Sequence, residues 1–286
     1  MPDLPRIPVG EWIDSAVDWL TDNVDWLFEF ISTVIAWLVD QLETLLMWPH
    51  PLLLAAIFAA LAWWIRGKWL ALFTILAFSL IESMRLWEET MSSLALVVVA
   101  SVIAVAIGVP IGIAAARNTV VSRVVRPALD FMQTMPSFVY LIPAIVFFGL
   151  GKVPGVVATV VFAMPPSVRL TELGIRQVDP EVVEAGHAFG SPSTQILTRI
   201  QIPLAMSTIM AGVNQVIMLA LSMVVIAGMI GAGGVGAVVF GSITRLNVGR
   251  GFEGGLAIVI LAVFLDRTTS AISERASRAA GTSTTN

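Results

Sequence analysis

The chain is 286 residues long, 57% of them hydrophobic and only 13% charged, with a formal net charge of −4. That balance places it in the membrane as an all-α integral membrane protein and excludes a soluble globular core. Cysteine is absent and the two histidines, His50 and His187, stand alone, which excludes disulfides, thiol catalysis and Cys- or His-cluster metal sites.

Residues 1–50 form their own region. Met1-Pro2-Asp3 and the acidic stretch that follows lack the basic start and small-residue cleavage site of a signal peptide, so insertion is expected to rely on the apolar spans. Ile13, Val17, Leu20, Val24, Leu27 and Ile31 recur at helical spacing, while Asp14, Asp18, Asp22, Asp25 and Glu29 line another side. Trp12, Trp19 and Trp26 fall seven apart on one shoulder of the apolar face. Tryptophan prefers the membrane interface, so this pattern predicts an amphipathic helix lying flat on the outer leaflet. Its acidic stripe is either a solvated face or a surface for a partner protein.

Apolar runs follow at unequal lengths. Residues 51–65 and 69–81 are short and separated only by Arg66-Gly67-Lys68, so the scaffold 51–84 either crosses twice or dips and returns. Residues 91–116, 131–150 and 203–230 approach or exceed the ~20 residues that cross ~30 Å of hydrocarbon. Residues 153–168 and 252–265 are shorter and need tilt or local thinning. Within the first long run Ala100, Ala104, Gly108, Gly112 and Ala116 form a small-residue stripe that lets another helix approach closely, from this chain or a second copy. Pro110 predicts a kink there.

A polar segment separates two of the spans. Asp179-Pro180-Glu181 opens a short helix, Gly190 allows a bend, and a second helix starts near Ser191-Pro192. Further on, Asn214 and Gln215 are the most polar residues inside a crossing; amides there either bridge helices or face water. Gly231-Ala232-Gly233-Gly234-Val235-Gly236 matches a dinucleotide-binding pattern by letter only, since a membrane span and no strand precedes it. It predicts an outer turn leading into residues 238–243. Gly151-Lys152-Val153 lacks the leading glycine and the Ser/Thr of a phosphate-binding loop, so it is not a nucleotide site.

Charge sets the sidedness. Lys and Arg concentrate in cytoplasmic loops, and placing the Glu184 loop inside puts eleven of the sixteen basic residues inside. Seven crossings follow, with the N-terminus outside and a polar tail, residues 271–286, in the cytoplasm. A secondary transporter usually holds ionisable groups in its crossings for ion coupling. None stands near the centre of these spans, and no nucleophile and base are paired as a membrane enzyme requires.

Glu184-Ala185-Gly186, then Gly190, then Ile200-Gln201-Ile202-Pro203 resembles the cytoplasmic signature of bacterial ABC-importer permeases, E-A-A-x3-G-x9-I-x-L-P, with Gly186 and Ile202 as conservative departures. The stretches Gln133 to Pro143, Met164 to Thr171 and Gly212 to Met223 are similar to the permease subunit of glycine betaine/proline importers, and the likeness covers about residues 85–270. The resemblance implies a type I ABC importer permease fold with a five-helix core, two N-terminal membrane helices and an outward amphipathic helix, set in a bacterial plasma membrane. It implies that Glu181, Glu184, Ala185, Gly186, His187, Gly190, Ile200, Ile202 and Pro203, within a loop of about residues 172–203, couple the chain to cytoplasmic ATPase subunits that hold ATP and magnesium. The chain itself then carries no cofactor and binds no nucleic acid. An extracytoplasmic substrate-binding protein and a second permease copy are the further partners. Tyr140, Asn214, Gln215, Met218 and Ser222 are candidates for the translocation path. His187 is a residue of the subunit contact or a pH sensor.

Overall fold

The computed structural model describes residues 8–279, and all regular structure in them is helical. In chain order it contains α1 (Val9–Met47), α2 (Pro51–Arg66), α3 (Lys68–Ser83), α4 (Trp87–Arg117) and α5 (Thr119–Thr134). A 3-10 turn (Ser137–Tyr140) leads into α6 (Leu141–Phe148), then come α7 (Lys152–Ala163), α8 (Pro165–Arg176), α9 (Pro180–Ala188) and α10 (Ser193–Ile196). A π-turn (Leu197–Gln201) joins α10 to α11 (Ile202–Met229), and α12 (Gly234–Thr244) and α13 (Val248–Ala279) complete the chain.

Local chemistry explains the breaks. Pro51 starts α2 behind His50, whose ring nitrogen accepts from the Leu52 amide, and Gly67 at φ 95° turns α2 straight into α3. Asn118 ends α4 and caps α5 by accepting from the Val120 and Val121 amides.

Among the described residues five helices are long and apolar enough to cross a membrane, six if the bent pair α5 and 137–148 counts as one. That pair corrects the sequence reading. Residues 131–150, expected as one secure crossing, are broken at Met135-Pro136, where the chain bends by 106°. Pro136 cannot donate a helical hydrogen bond and biases Met135 to extended backbone (ψ 137°). The span expected at 153–168 runs on through Pro165-Pro166 to Arg176, and the one expected at 252–265 lies inside the much longer α13. That helix includes residues 271–279 of the segment read as a tail, while 280–286 lie outside the described residues.

Glycine sets how closely the central helices approach. A Cβ on Gly108 would fall 1.8 Å from Ser167 Oγ, and one on Gly112 would fall 2.6 Å from the Val168 carbonyl oxygen and Thr171 Cβ. The small-residue stripe of α4 therefore meets α8 of the same chain. On the other side of α8, Gly174 lies against Ala205 and Thr208, and Gly212 against Pro166 and Leu170. With three helices in near backbone contact, α8 is clamped between α4 and α11 by dispersion, which must replace hydrophobic drive in lipid. A second core, with Phe58, Phe78 and Phe264 in mutual ring contact and Trp87 edge-on to Phe78, fixes α2 and α3 to α4 and α13.

The predicted N-terminal helix is part of one 39-residue element kinked at Val24. Its composition would also permit a crossing. Phe28 stacks on Phe147 at 4.3 Å and meets Phe148 edge-on, while Asp40 and Glu43 pair with Lys152. The stretch from Phe28 to Glu43 covers about 22 Å of helix, yet both sets of partners lie within residues 147–152. Hence α1 runs across the connection between α6 and α7. Trp12, Trp19, Trp26, Phe30 and Trp37 are exposed and lie within about 40° of one another at 100° per residue. The buried Ile35, Val39 and Leu46 face the bundle from the far side.

Helix ends sort into two groups. Arg66 pairs with Glu274 and the Arg275 guanidinium covers the Trp64 ring, so the α2–α3 turn adjoins the end of α13. Arg250 donates to the Met84 and Arg85 carbonyls, joining the opposite end of α3 to the start of α13.

Candidate functional site

α9 is built to stand off the bundle. Asp179 caps it, its carboxylate accepting from the Glu181 amide at 2.9 Å, and Pro180 occupies the first turn. No residue of α9 is buried. The helix ends where the Ser191 amide donates to the Gly186 carbonyl and the Gly190 amide to the His187 carbonyl, with Gly190 at φ 77°. This paired closure needs a left-handed residue at position 190, which only glycine adopts at no steric cost. Phe189, on the last turn, is 90% exposed.

The foot of α9 is anchored where its tip is free. Val183 packs against a cluster of Ile175, Val178, Leu197, Ala205 and Ile209, to which Ile202 and the α4 residues Val109 and Ile113 also belong. Gly186 lies where a Cβ would meet Ile200 Cδ1 at 3.1 Å and Ile196 Cγ1 at 3.4 Å. Glycine in place of the family's second alanine thus lets α9 sit tight on α10 and the π-turn. Pro203 lacks the amide that an α-helical turn would use and crowds the carbonyl one turn back. The wider π-turn immediately before it absorbs that mismatch.

Glu181, Glu184, Ala185, His187 and Gly190 are exposed, whereas Gly186, Ile200, Ile202 and Pro203 are half-buried at the base. Replacing Gly190 with Val meets open space, so the penalty is backbone strain alone, about 1–2 kcal/mol. Insertion is expected to be normal and the closure of α9 looser, read as faster amide exchange at Ser191 with the quantity of protein in the membrane unchanged.

The suggested path residues divide. Gln215, Met218 and Ser222 are exposed along one side of α11, with Ser207 and Ala211 continuing the same line. Asn214 is turned to α13 instead: its amide donates to Asp266 Oδ1 at 2.8 Å and its oxygen accepts from Thr269 Oγ1 at 2.8 Å. Tyr140 is buried, and its hydroxyl donates to the Met132 carbonyl across the α5–α6 bend. Asp266 is an acid that sequence reasoning missed, because Asp266-Arg267 looked like the end of a span. Asn214→Ala is expected to lower stability by about 1 kcal/mol, the usual worth of an interhelical amide bond in lipid. A thermal unfolding scan of the purified protein reads this.

A multi-helix apolar bundle with a short, exposed helix rooted in its packed core is the architecture of an integral membrane protein with a docking element. The model for the binding-protein-dependent transport system inner membrane component family matches residues 108–278, and the chain belongs to that family. Its relatives include the Bacillus subtilis glycine betaine transport system permease protein OpuAB, 52% identical over 95% of this chain and 96% of that protein. The Listeria monocytogenes glycine betaine/carnitine transport permease protein GbuB is 48% identical over 96% and 99%. The Escherichia coli glycine betaine/proline betaine permease protein ProW is 44% identical over 96% of this chain and 77% of its own length. A solved inward-facing structure of the MetNI methionine ABC transporter superposes with a TM-score of 0.61 at 20% identity, over 67% of this chain and 95% of that one. The fold is that of a type I ABC importer permease.

Proposed function

We propose that the chain is the pathway subunit of an importer for glycine betaine, proline or a related quaternary-amine osmolyte, driven by ATP hydrolysed on a separate chain. ATP and magnesium belong to that ATPase, and α9 is the helix that docks in it. The observation that carries the docking role is the pairing of a bare tip with an embedded foot: Phe189 stands free while Val183 enters the cluster shared by α4, α8 and α11. Force applied at the tip reaches three membrane helices through packed side chains.

Glu181, Glu184, Ala185, His187 and Gly190 then line the ATPase contact, and Gly186, Ile200, Ile202 and Pro203 transmit it. Of the suggested path residues, Gln215, Met218 and Ser222 have the exposure a path requires. One bundle of this size encloses no channel, so a second copy completes it. The charge asymmetry supports a cytoplasmic loop and C-terminus with α1 outside.

The names of the relatives and their near full-length identity support the osmolyte class. Recognition of a quaternary ammonium uses aromatic cages, and the exposed line on α11 carries no aromatic residue. Selection is therefore assigned to the extracytoplasmic binding protein. Titrating that protein with glycine betaine, proline, choline and carnitine tests the assignment. Binding of glycine betaine is expected, and selective binding of choline, carnitine or an ordinary amino acid would redirect it to the corresponding solute.

A further inference from the structure

We infer that Glu172 is the positioning residue that makes α5 follow the exposed helix, an inference that rests on the coupling role proposed for α9. Glu172 is 3% exposed, and its Oε1 has three cationic or hydroxyl partners. Ser122 Oγ at 2.7 Å and Arg126 Nη2 at 3.0 Å, both on α5, donate hydrogen bonds to it, and Arg176 Nε forms an ion pair with it at 3.1 Å. Arg176 also donates through Nη2 to the Ala115 carbonyl in the last turn of α4, at 2.8 Å. One turn away Arg169 pairs with Asp130.

Along α8 the residues 169 and 172 lie one turn apart, and their partners on α5 descend from Asp130, for Arg169, to Arg126 and Ser122, for Glu172. The two helices are thus joined by a polar seam running antiparallel. The four apolar clusters contain no residue of α5. The long hydrophobic side chains Val120, Val124 and Phe131 of α5 face outward, exposed. Of the hydrophobic side chains of α5 Leu129 alone is buried, so the polar seam carries much of its hold on α8.

Position gives the seam its use. Arg176 is the last residue of α8, three residues before the cap of α9, and α5 leads through the 106° bend into the arm carrying Tyr140. Rotation of α8 driven from α9 pulls on Ser122 and Arg126 through one buried carboxylate. Hydrogen-bonded charge pairs have discrete made and broken states, which suits transmission between two conformations better than a greasy contact that slides.

The experiment compares Glu172→Gln and Arg126→Gln in the complex of permease, ATPase and binding protein reconstituted in vesicles. Arg126 has an exposed side chain, so its variant folds even if the Glu172 variant does not. Solute taken up per ATP hydrolysed is expected to fall about tenfold in both. The chain has no cysteine, so in a complex where one permease copy in many carries them, spin labels at Val124→Cys and Gln177→Cys, on α5 and at the end of α8, report the α5–α8 separation. That separation is expected to stay constant between nucleotide-free and ATP-bound states in the parent, and to change in either Gln variant. An unchanged uptake ratio with an unchanged label distance in Arg126→Gln overturns the inference. If instead Phe189→Asp also leaves uptake intact, the coupling role of α9 itself has failed.

Discussion

Phe189→Asp is expected to release the partner ATPase and abolish uptake while the permease remains inserted at its normal level. The ring is 90% exposed on a helix that buries nothing of its own, so the permease loses no internal packing when it is removed. A buried aromatic anchor at a subunit contact contributes about 2 kcal/mol or more, and a desolvated carboxylate adds to the loss. Affinity for the ATPase is expected to fall at least about hundredfold. Co-purification of the two subunits and uptake into vesicles read the two halves of the effect. Phe189→Leu, which keeps an apolar tip, is expected to retain most of both. Full ATPase binding by the Asp variant would place the docking surface elsewhere.

Gly112→Leu is expected to do the opposite, destroying the bundle without touching the exposed loop. Even its Cβ would lie 2.6 Å from a backbone oxygen of α8, which no side-chain rotation relieves. Helices α4 and α8 must separate, and since α8 is also clamped to α11 the separation spreads. Overpacking of this kind costs about 3 kcal/mol or more, a fall of roughly 10 °C in unfolding temperature for a chain of this size. In cells the variant is expected to be degraded, with little protein in the membrane fraction. Gly255→Ala is the control, because a Cβ there meets nothing within 4 Å; it is expected to unfold at the parent's temperature or slightly above.

What could be read from the sequence follows from the range of the forces involved. The exposed helix was legible almost residue by residue. Asp179, Pro180 and Gly190 act on their own backbone, so cap, start and closure fall where the letters put them. The membrane class was legible too, because apolar content needs no tertiary information. The bend at Met135-Pro136 was hidden by an apolar run, residues 131–150, that satisfies the length rule only when taken whole. Proline tolerates either a kinked helix or a break, and the choice depends on neighbours. Glu172 and Asp266 were hidden for a related reason. Acids near the end of a span look like its boundary, and only the structure shows Glu172 meeting α5 and Asp266 meeting Asn214. The small-residue stripe announced a close helix partner but could not say which; the clash of Gly108 and Gly112 with α8 answers that.

Uptake of labelled glycine betaine into vesicles tests the central role most directly, with the permease, its ATPase and the binding protein present and ATP supplied on the ATPase side. Accumulation against a gradient is expected only when all three proteins and hydrolysable ATP are present, and it is expected to disappear with Phe189→Asp. Accumulation by the permease alone, or in the presence of a non-hydrolysable nucleotide, would contradict it.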